Sequence, residues 1–204
     1  AGYEPVISGR MHLVGHDQLH GFTRRLIADV PESAYLSAGW KLQRVLGDLV
    51  DTPGMSLSSL VKSGPGRTGY HSYDEAVTRA TVNWLAERGK ARKERPFLLT
   101  VGYVSPHCPF VAPPEDFARY ADRLSMDDLP EAGEVSPLLA AMRRDFGVEP
   151  PPPREAQWRA RVAYYGLCSF LDRQVGALLA ALEDSGLARN TLIVYTSDHG
   201  EQLG

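Results

Sequence analysis

Five side chains in this sequence have the types and placement for chemistry on an anion: Arg10, His12, His107, Asp198 and His199. Arg10 and His12 stand two apart, so in an extended segment they point to the same side. A guanidinium and an imidazole converging on one point suit a tetrahedral oxyanion. The plainer reading is a surface arginine in a salt bridge beside an unrelated histidine. His107 lies between Pro106 and Pro109. Prolines fix the backbone there and so preorganise an imidazole that could hold an anionic oxygen or protonate a leaving group. Taken alone, an exposed turn histidine is the better reading of that position. Asp198 and His199 follow an apolar run and precede Gly200. A carboxylate oxygen and an imidazole nitrogen at a strand tip can both reach one divalent cation. Asp198 is placed equally well to cap a following helix, and on physical grounds alone the two readings balance. His16 and His20 have a four-residue spacing, with Asp17 between them. No helix and no third nearby ligand supports zinc there.

These residues need elements to position them, and the hydrophobic pattern supplies candidates. Residues 5–8 read as a short strand running into the turn at 9–12. The stretch 13–72 is irregular and rich in Gly, Pro and Ser, as functional connections often are. Tyr73 to Arg92 reads as a helix, with Ala76, Val77, Ala80, Trp84 and Leu85 forming its apolar face. Pro96 to Val104 reads as a strand buried on both faces, of the kind parallel sheets use. A short helix is expected at 114–121, and residues 125–154 read as loop-rich, with the run Pro150 to Pro153 as a stiff spacer. Glu155 to Asp184 is the clearest helix, with Trp158, Val162, Tyr165, Leu171, Val175, Leu178, Leu179 and Leu182 on its buried stripe. Gly186 stops it, and Thr191 to Thr196 reads as a further strand. Strand, helix, strand, helix, strand implies an α/β fold with a mainly parallel sheet. In such sheets ligands bind beyond the carboxyl ends of strands. Three expected strand ends carry the five polar residues.

Bulk properties narrow the function. The 204 residues carry a formal net charge of −3, with 43% apolar and 23% charged residues. That is a globular composition without the basic excess that nucleic-acid binding needs. No stretch is apolar for long enough to span a bilayer. Cys108 and Cys168 form neither a disulfide framework nor a close-spaced metal motif, and Cys108 reads as a packed bystander in preference to a reactive thiol. The ends read as cut, because an apolar strand leads directly into the polar turn before Gly204 and no initiator Met opens the chain. The compartment is therefore open between cytoplasm and periplasm.

Four segments in order resemble the sulfatase family of the alkaline-phosphatase-like superfamily. The run Gly2-Tyr3 through Gly9-Arg10-Met11-His12 is similar to the family's Gly-Tyr…Gly-Lys-x-His segment. Pro96-Phe97-Leu98-Leu99 through Pro106-His107-Cys108-Pro109 resembles its strand ending in Pro-His-x-Pro. Tyr164-Tyr165-Gly166 through Leu171-Asp172-Arg173-Gln174-Val175-Gly176 resembles its long helix. Asn190-Thr191-Leu192-Ile193-Val194-Tyr195-Thr196-Ser197-Asp198-His199-Gly200 resembles its most specific motif. Gly9 through Phe22 resembles the choline-sulfatase branch.

The resemblance implies a three-layer α/β sandwich with a mainly parallel central sheet, incomplete at both ends, in which residues 1–204 form part of one catalytic domain. It implies hydrolysis of a small-molecule sulfate monoester, choline sulfate being one substrate, by a protein able to act as a homo-oligomer. Asp198 and His199 become ligands of a divalent cation, usually Ca2+, with Mg2+ or Mn2+ as alternatives. Arg10, His12 and His107 become the residues that contact the sulfate, with His107 near the leaving oxygen. Arg10 stands where the family usually has Lys, which keeps the charge and changes the donor geometry. The family nucleophile is a formylglycine made within a Cys-x-Pro/Ala-x-Arg motif. Neither Cys108 nor Cys168 lies in one, so the nucleophile is expected outside this chain. The competing readings are a phosphatase, phosphodiesterase or phosphonate monoester hydrolase of the same superfamily, and a non-catalytic truncated relative.

Overall fold

The computed structural model describes residues 2–13, 16–29, 49–50, 57–91, 95–129, 133, 135–201 and 203. In chain order the elements are β1 (Glu4–Gly9), β2 (Arg24–Arg25), β3 (Leu49–Val50), α1 (Leu57–Val61), β4 (Gly64–Pro65), β5 (Arg67–Thr68), α2 (Gly69–Lys90), β6 (Phe97–Gly102), β7 (Val111–Ala112), α3 (Pro114–Ala121), α4 (Pro137–Asp145) and α5 (Arg154–Asp184). They fall into two compact units, one made of residues 1–35, 70–104 and 171–197, the other of 36–69, 105–170 and 198–204.

The first unit contains a parallel sheet in the order β2-β1-β6. β1 and β6 pair without a break from Glu4 opposite Phe97 to Gly9 opposite Gly102. β1 is the central strand, and Val6 and Ile7 are fully buried. Among the described residues β6 has a strand on one side only, and Leu98 is 55% exposed. The strand expected to be buried on both faces is thus a half-buried edge among the described residues, and β1 takes the central role. Val6 packs with Trp84 and Leu85 of α2 and Leu182 of α5. Burying side chains of this size contributes about 1.5–3 kcal/mol each. The start of the sheet is fastened by Arg88, whose guanidinium meets Glu4 at 3.2 Å and lies over the Trp84 and Phe97 rings. A second cluster joins Tyr73 and Val77 of α2 to Val101, Tyr103 and Val104.

The second unit is built around the first half of α5. Ala160, Ala163 and Leu167 meet Phe110 and Ala112, with Cys108, Phe117 and Tyr164 around them. Gly166 lets this face come close, because a Cβ there would crowd the Ala112 side chain and the backbone at Asp116. β4 pairs with β7, and β3 with β5, all in parallel.

The helix expected at 73–92 runs from Gly69 to Lys90, Arg92 lying outside the described residues, and the helices expected at 114–121 and 155–184 are present. Most of the irregular stretch at 30–56 lies outside the described residues. One helix was not marked by the sequence pattern, and one expected strand needs correction. The loop-rich stretch 125–154 contains α4. Ser136 caps it by accepting from the Leu139 amide at 3.2 Å, and Pro137 occupies its first turn. Residues 191–196 join no sheet among the described residues. They carry Leu192 at 89% and Val194 at 76% exposure, and a strand without a ladder partner gains none of the hydrogen bonds that define it.

The close approach of the strand ends generates a prediction. A Cβ on Gly102 would overlap the backbone carbonyl of Arg10, and one on Gly9 would overlap the carbonyl of Gly102. Backbone cannot move aside as a flexible side chain can. Gly102→Ala should lower stability by about 1–3 kcal/mol or more. Chemical denaturation against wild type reads this, and an unchanged midpoint would contradict the register.

Candidate functional site

Arg10 and His12 leave the end of β1 on a loop of the first unit. The Arg10 amide donates to the Gly102 carbonyl at 3.0 Å, so the loop starts locked to the end of β6. His12 adopts φ 53, a left-handed conformation uncommon outside glycine. Arg10 Nη2 lies 2.9 Å from His12 Nε2. Arginine cannot accept a hydrogen bond, so it donates, and Nε2 is the acceptor. In the neutral ring the proton then sits on Nδ1. The pair presents a guanidinium and an Nδ1–H donor on one short loop, the combination an oxyanion requires.

The end of β6 is fixed by buried polar groups. Asp74 is fully buried, and its Oδ1 accepts the Val104 amide at 2.9 Å. The Thr78 hydroxyl lies 2.9 Å from the Tyr103 hydroxyl and 2.8 Å from Gln174 Oε1, linking α2, the end of β6 and α5. Burial pushes the Tyr103 phenol up to about 12, against a smaller opposing effect of the Thr78 hydrogen bond.

His107 follows in the second unit, half-buried. Its Nδ1 lies 2.6 Å from the Cys108 carbonyl, which can only accept, so Nδ1 carries a proton. Cys108 packs against the apolar cluster. The Cys168 thiol is pushed up by burial, which keeps it a poor nucleophile.

Asp198 and His199 are side by side, with Asp198 Oδ2 3.8 Å from His199 Nε2. His199 Nδ1 is 2.9 Å from the Gly200 carbonyl. That bond and then the Asp198 carboxylate raise the pKa of the ring above its ordinary value. Placing the proton on Nδ1 leaves Nε2 with the lone pair a cation needs, and a backbone carbonyl is a common orienting partner for a metal-bound histidine. One carboxylate and one imidazole fit part of a divalent-cation shell, whereas calcium takes about 6–8 ligands. Among the described residues no group of three or more His, Cys, Asp or Glu is arranged to hold a metal ion.

The pairs brought into contact are therefore Arg10 with His12 and Asp198 with His199. Asp17 accepts the Leu19 and His20 amides at 2.9 and 3.0 Å, bonds that lower its pKa, so it holds a turn between the exposed His16 and His20. Sequence reasoning missed Asp74 and Asp29. The signal available for Asp74 was an acidic residue in the first part of α2.

The sulfatase family model matches residues 1–204. The chain belongs to the sulfatase family. It is 33% identical over 219 aligned residues to a choline-sulfatase of Rhizobium meliloti, covering 100% of this chain and 41% of that protein. It is 32% identical to an ulvan-active sulfatase of Formosa agariphila, covering 100% of this chain and 34% of that one. Among solved structures, the phosphonate monoester hydrolase of Agrobacterium radiobacter superposes with a TM-score of 0.65 at 23% identity, covering 100% of this chain and 46% of the other. The fold is thus the alkaline-phosphatase-like α/β fold with a mainly parallel central sheet. The chain spans less than half the length of these sulfatases. No helix among the described residues is long and apolar enough to cross a membrane.

The polar network at the end of β6 predicts a pH response. Tyr103 has a folded pKa raised from 10.0 to about 12. The fold favours the neutral phenol, so the stabilisation is complete below pH 10 and is lost as pH rises toward 12. Wild type should therefore lose stability across that window more steeply than Tyr103→Phe. Identical pH profiles for the two would refute the buried phenol.

Proposed function

We propose that the protein carrying this chain is a metal-dependent sulfuric ester hydrolase that converts a small sulfate monoester, with choline sulfate the first candidate, to the alcohol and sulfate. The observation that carries the reading is the Arg10–His12 pair, hydrogen-bonded at 2.9 Å on the loop beyond β1 in a member of the sulfatase family. Identity to a choline-sulfatase at 33% supports the choice of substrate.

The chemistry follows from the charges. In hydrolysis the bond between sulfur and the bridging oxygen breaks, water supplies the new oxygen on sulfur, and the departing alkoxide takes a proton. Negative charge grows on the bridging oxygen, while the non-bridging oxygens stay anionic. Arg10 and the Nδ1–H of His12 hold non-bridging oxygens. His107, with Nδ1 fixed on the Cys108 carbonyl, delivers a proton from Nε2 to the leaving oxygen. Asp198 and His199 would hold a divalent cation, most simply Ca2+, which supplies Lewis-acid polarisation and counter-charge when bound. The formylglycine nucleophile belongs to a segment that this chain does not contain.

Two experiments test the reading. The full-length protein should hydrolyse choline sulfate or an aryl sulfate faster than an aryl phosphonate monoester, and His107→Ala should lower the rate roughly 10²-fold or more. Residues 1–204 alone should show no turnover. Preference for the phosphonate would reassign the activity within the superfamily, and turnover by residues 1–204 would show that the nucleophile lies within them. Separately, Asp198→Ala should weaken cation affinity and activity together, with excess calcium restoring part of the activity. Wild-type activity in that variant after chelation and dialysis would remove Asp198 from the metal shell.

A further inference from the structure

The loop bearing Arg10 and His12 is gripped by a carboxylate that the chemistry above does not use. Asp29 Oδ2 accepts the Met11 amide at 2.9 Å and the Leu13 amide at 3.2 Å. One oxygen thus ties the two amides on either side of His12. Asp29 is only 9% exposed, so these are charge-assisted bonds away from bulk water. It is itself well held. The Leu26 amide donates to Ile7 and the Gly9 amide to Ile27, at 2.8 and 3.1 Å, so residues 26–27 run beside the end of β1. The buried Tyr73 of α2 then donates its hydroxyl to the Ala28 carbonyl at 2.8 Å.

The grip meets a specific need. A histidine at φ 53 is in a conformation that costs roughly 1–2 kcal/mol relative to ordinary backbone. Such a residue persists when its surroundings over-determine it. Fixing the amide before His12 and the amide after it, on a single acceptor, closes the loop into that conformation. The Arg10–His12 bond can then form without any further search.

We propose that Asp29 is a positioning residue: its carboxylate sets the 10–13 loop so that the Arg10 guanidinium and His12 Nδ1 face one sulfuryl oxyanion together. The proposal rests on the sulfatase reading and concerns no direct contact between Asp29 and substrate. The test uses the full-length protein with Asp29→Ala, Asp29→Asn, His12→Ala and the double variant Asp29→Ala with His12→Ala. Asp29→Ala should lower kcat roughly 10²-fold, the size of effect that a misplacement of about 1 Å produces. Asp29→Asn keeps an acceptor oxygen for both amides and should recover most of that loss. In the His12→Ala background, Asp29→Ala should cost clearly less than in wild type, because the part of its effect that passes through His12 is already gone and only the misplacement of Arg10 remains. Equal losses in both backgrounds, or wild-type kcat in Asp29→Ala, would overturn the proposal.

A protein that hydrolyses neither sulfate nor phosphonate esters would defeat the functional reading instead. Amide hydrogen exchange then decides the positioning role. The Met11 and Leu13 amides should be protected in wild type and in Asp29→Asn, and should exchange at least tenfold faster in Asp29→Ala, on the order of the loss of one such bond. Unprotected amides in wild type would overturn the proposal without reference to any activity.

Discussion

The parallel pairing of β1 with β6 is the constraint from which the rest of the first unit follows. Six consecutive pairs run from Glu4–Phe97 to Gly9–Gly102, so the two strands end level. Their last residues are glycines because the backbone of each passes where the other's Cβ would sit. A slip of one residue would move Val6 off Trp84, Leu85 and Leu182. The register therefore fixes which residues can emerge first beyond the sheet. On β1 it is Arg10, whose amide is still bonded to Gly102.

Beyond the strand ends the ladder stops, and the backbone amides need other acceptors. Buried carboxylates supply them twice. Asp74 takes the Val104 amide, two residues past β6, and Asp29 takes the amides of Met11 and Leu13, two and four residues past β1. The two cases share a logic. A short acidic side chain reaching from a neighbouring element can fix an irregular segment that no ladder can hold. Both carboxylates are buried, so neither adds its charge to the surface an anion would meet. On the 10–13 loop the positive Arg10 is half-exposed and His12 exposed, whereas the Asp29 carboxylate that holds the loop is buried.

The fold was largely legible because its main signals are local. The apolar stripes of α2 and α5, and the proline start of α3, mark those helices in the sequence itself. α4 was passed over because none of its side chains is buried, so it has no stripe to read. Its signal was the Ser136-Pro137 pair, a cap followed by a proline in the first turn. The strand expected at 191–196 failed differently. Its residues have strong β character, but a strand is a property of a pair, and no ladder partner stands beside them among the described residues. The half-burial of β6 was missed for the same reason, since strand order depends on distant segments. Arg10 and His12 were legible as a pair from their spacing. Asp29 was not, because its bond to Met11 spans 18 residues of chain and nothing in its own neighbourhood marks it.

The presence of arginine at position 10, where the family usually has lysine, becomes intelligible from the geometry. A lysine ammonium is a compact charge with three rotatable donors, whereas a guanidinium has five donors in a fixed plane. One of these, Nη2, is engaged by His12 Nε2. The remaining donors keep a fixed orientation relative to the imidazole, so an anion bound there would meet a two-residue donor surface. That donation also selects the tautomer of a neutral His12: with Nε2 accepting, Nδ1 must carry the proton. A lysine could neutralise the same charge, but its single nitrogen would have to serve both histidine and anion. Arginine thus couples the charge of one residue to the proton position of the next, and the left-handed turn at His12 is the backbone conformation in which that coupling is made.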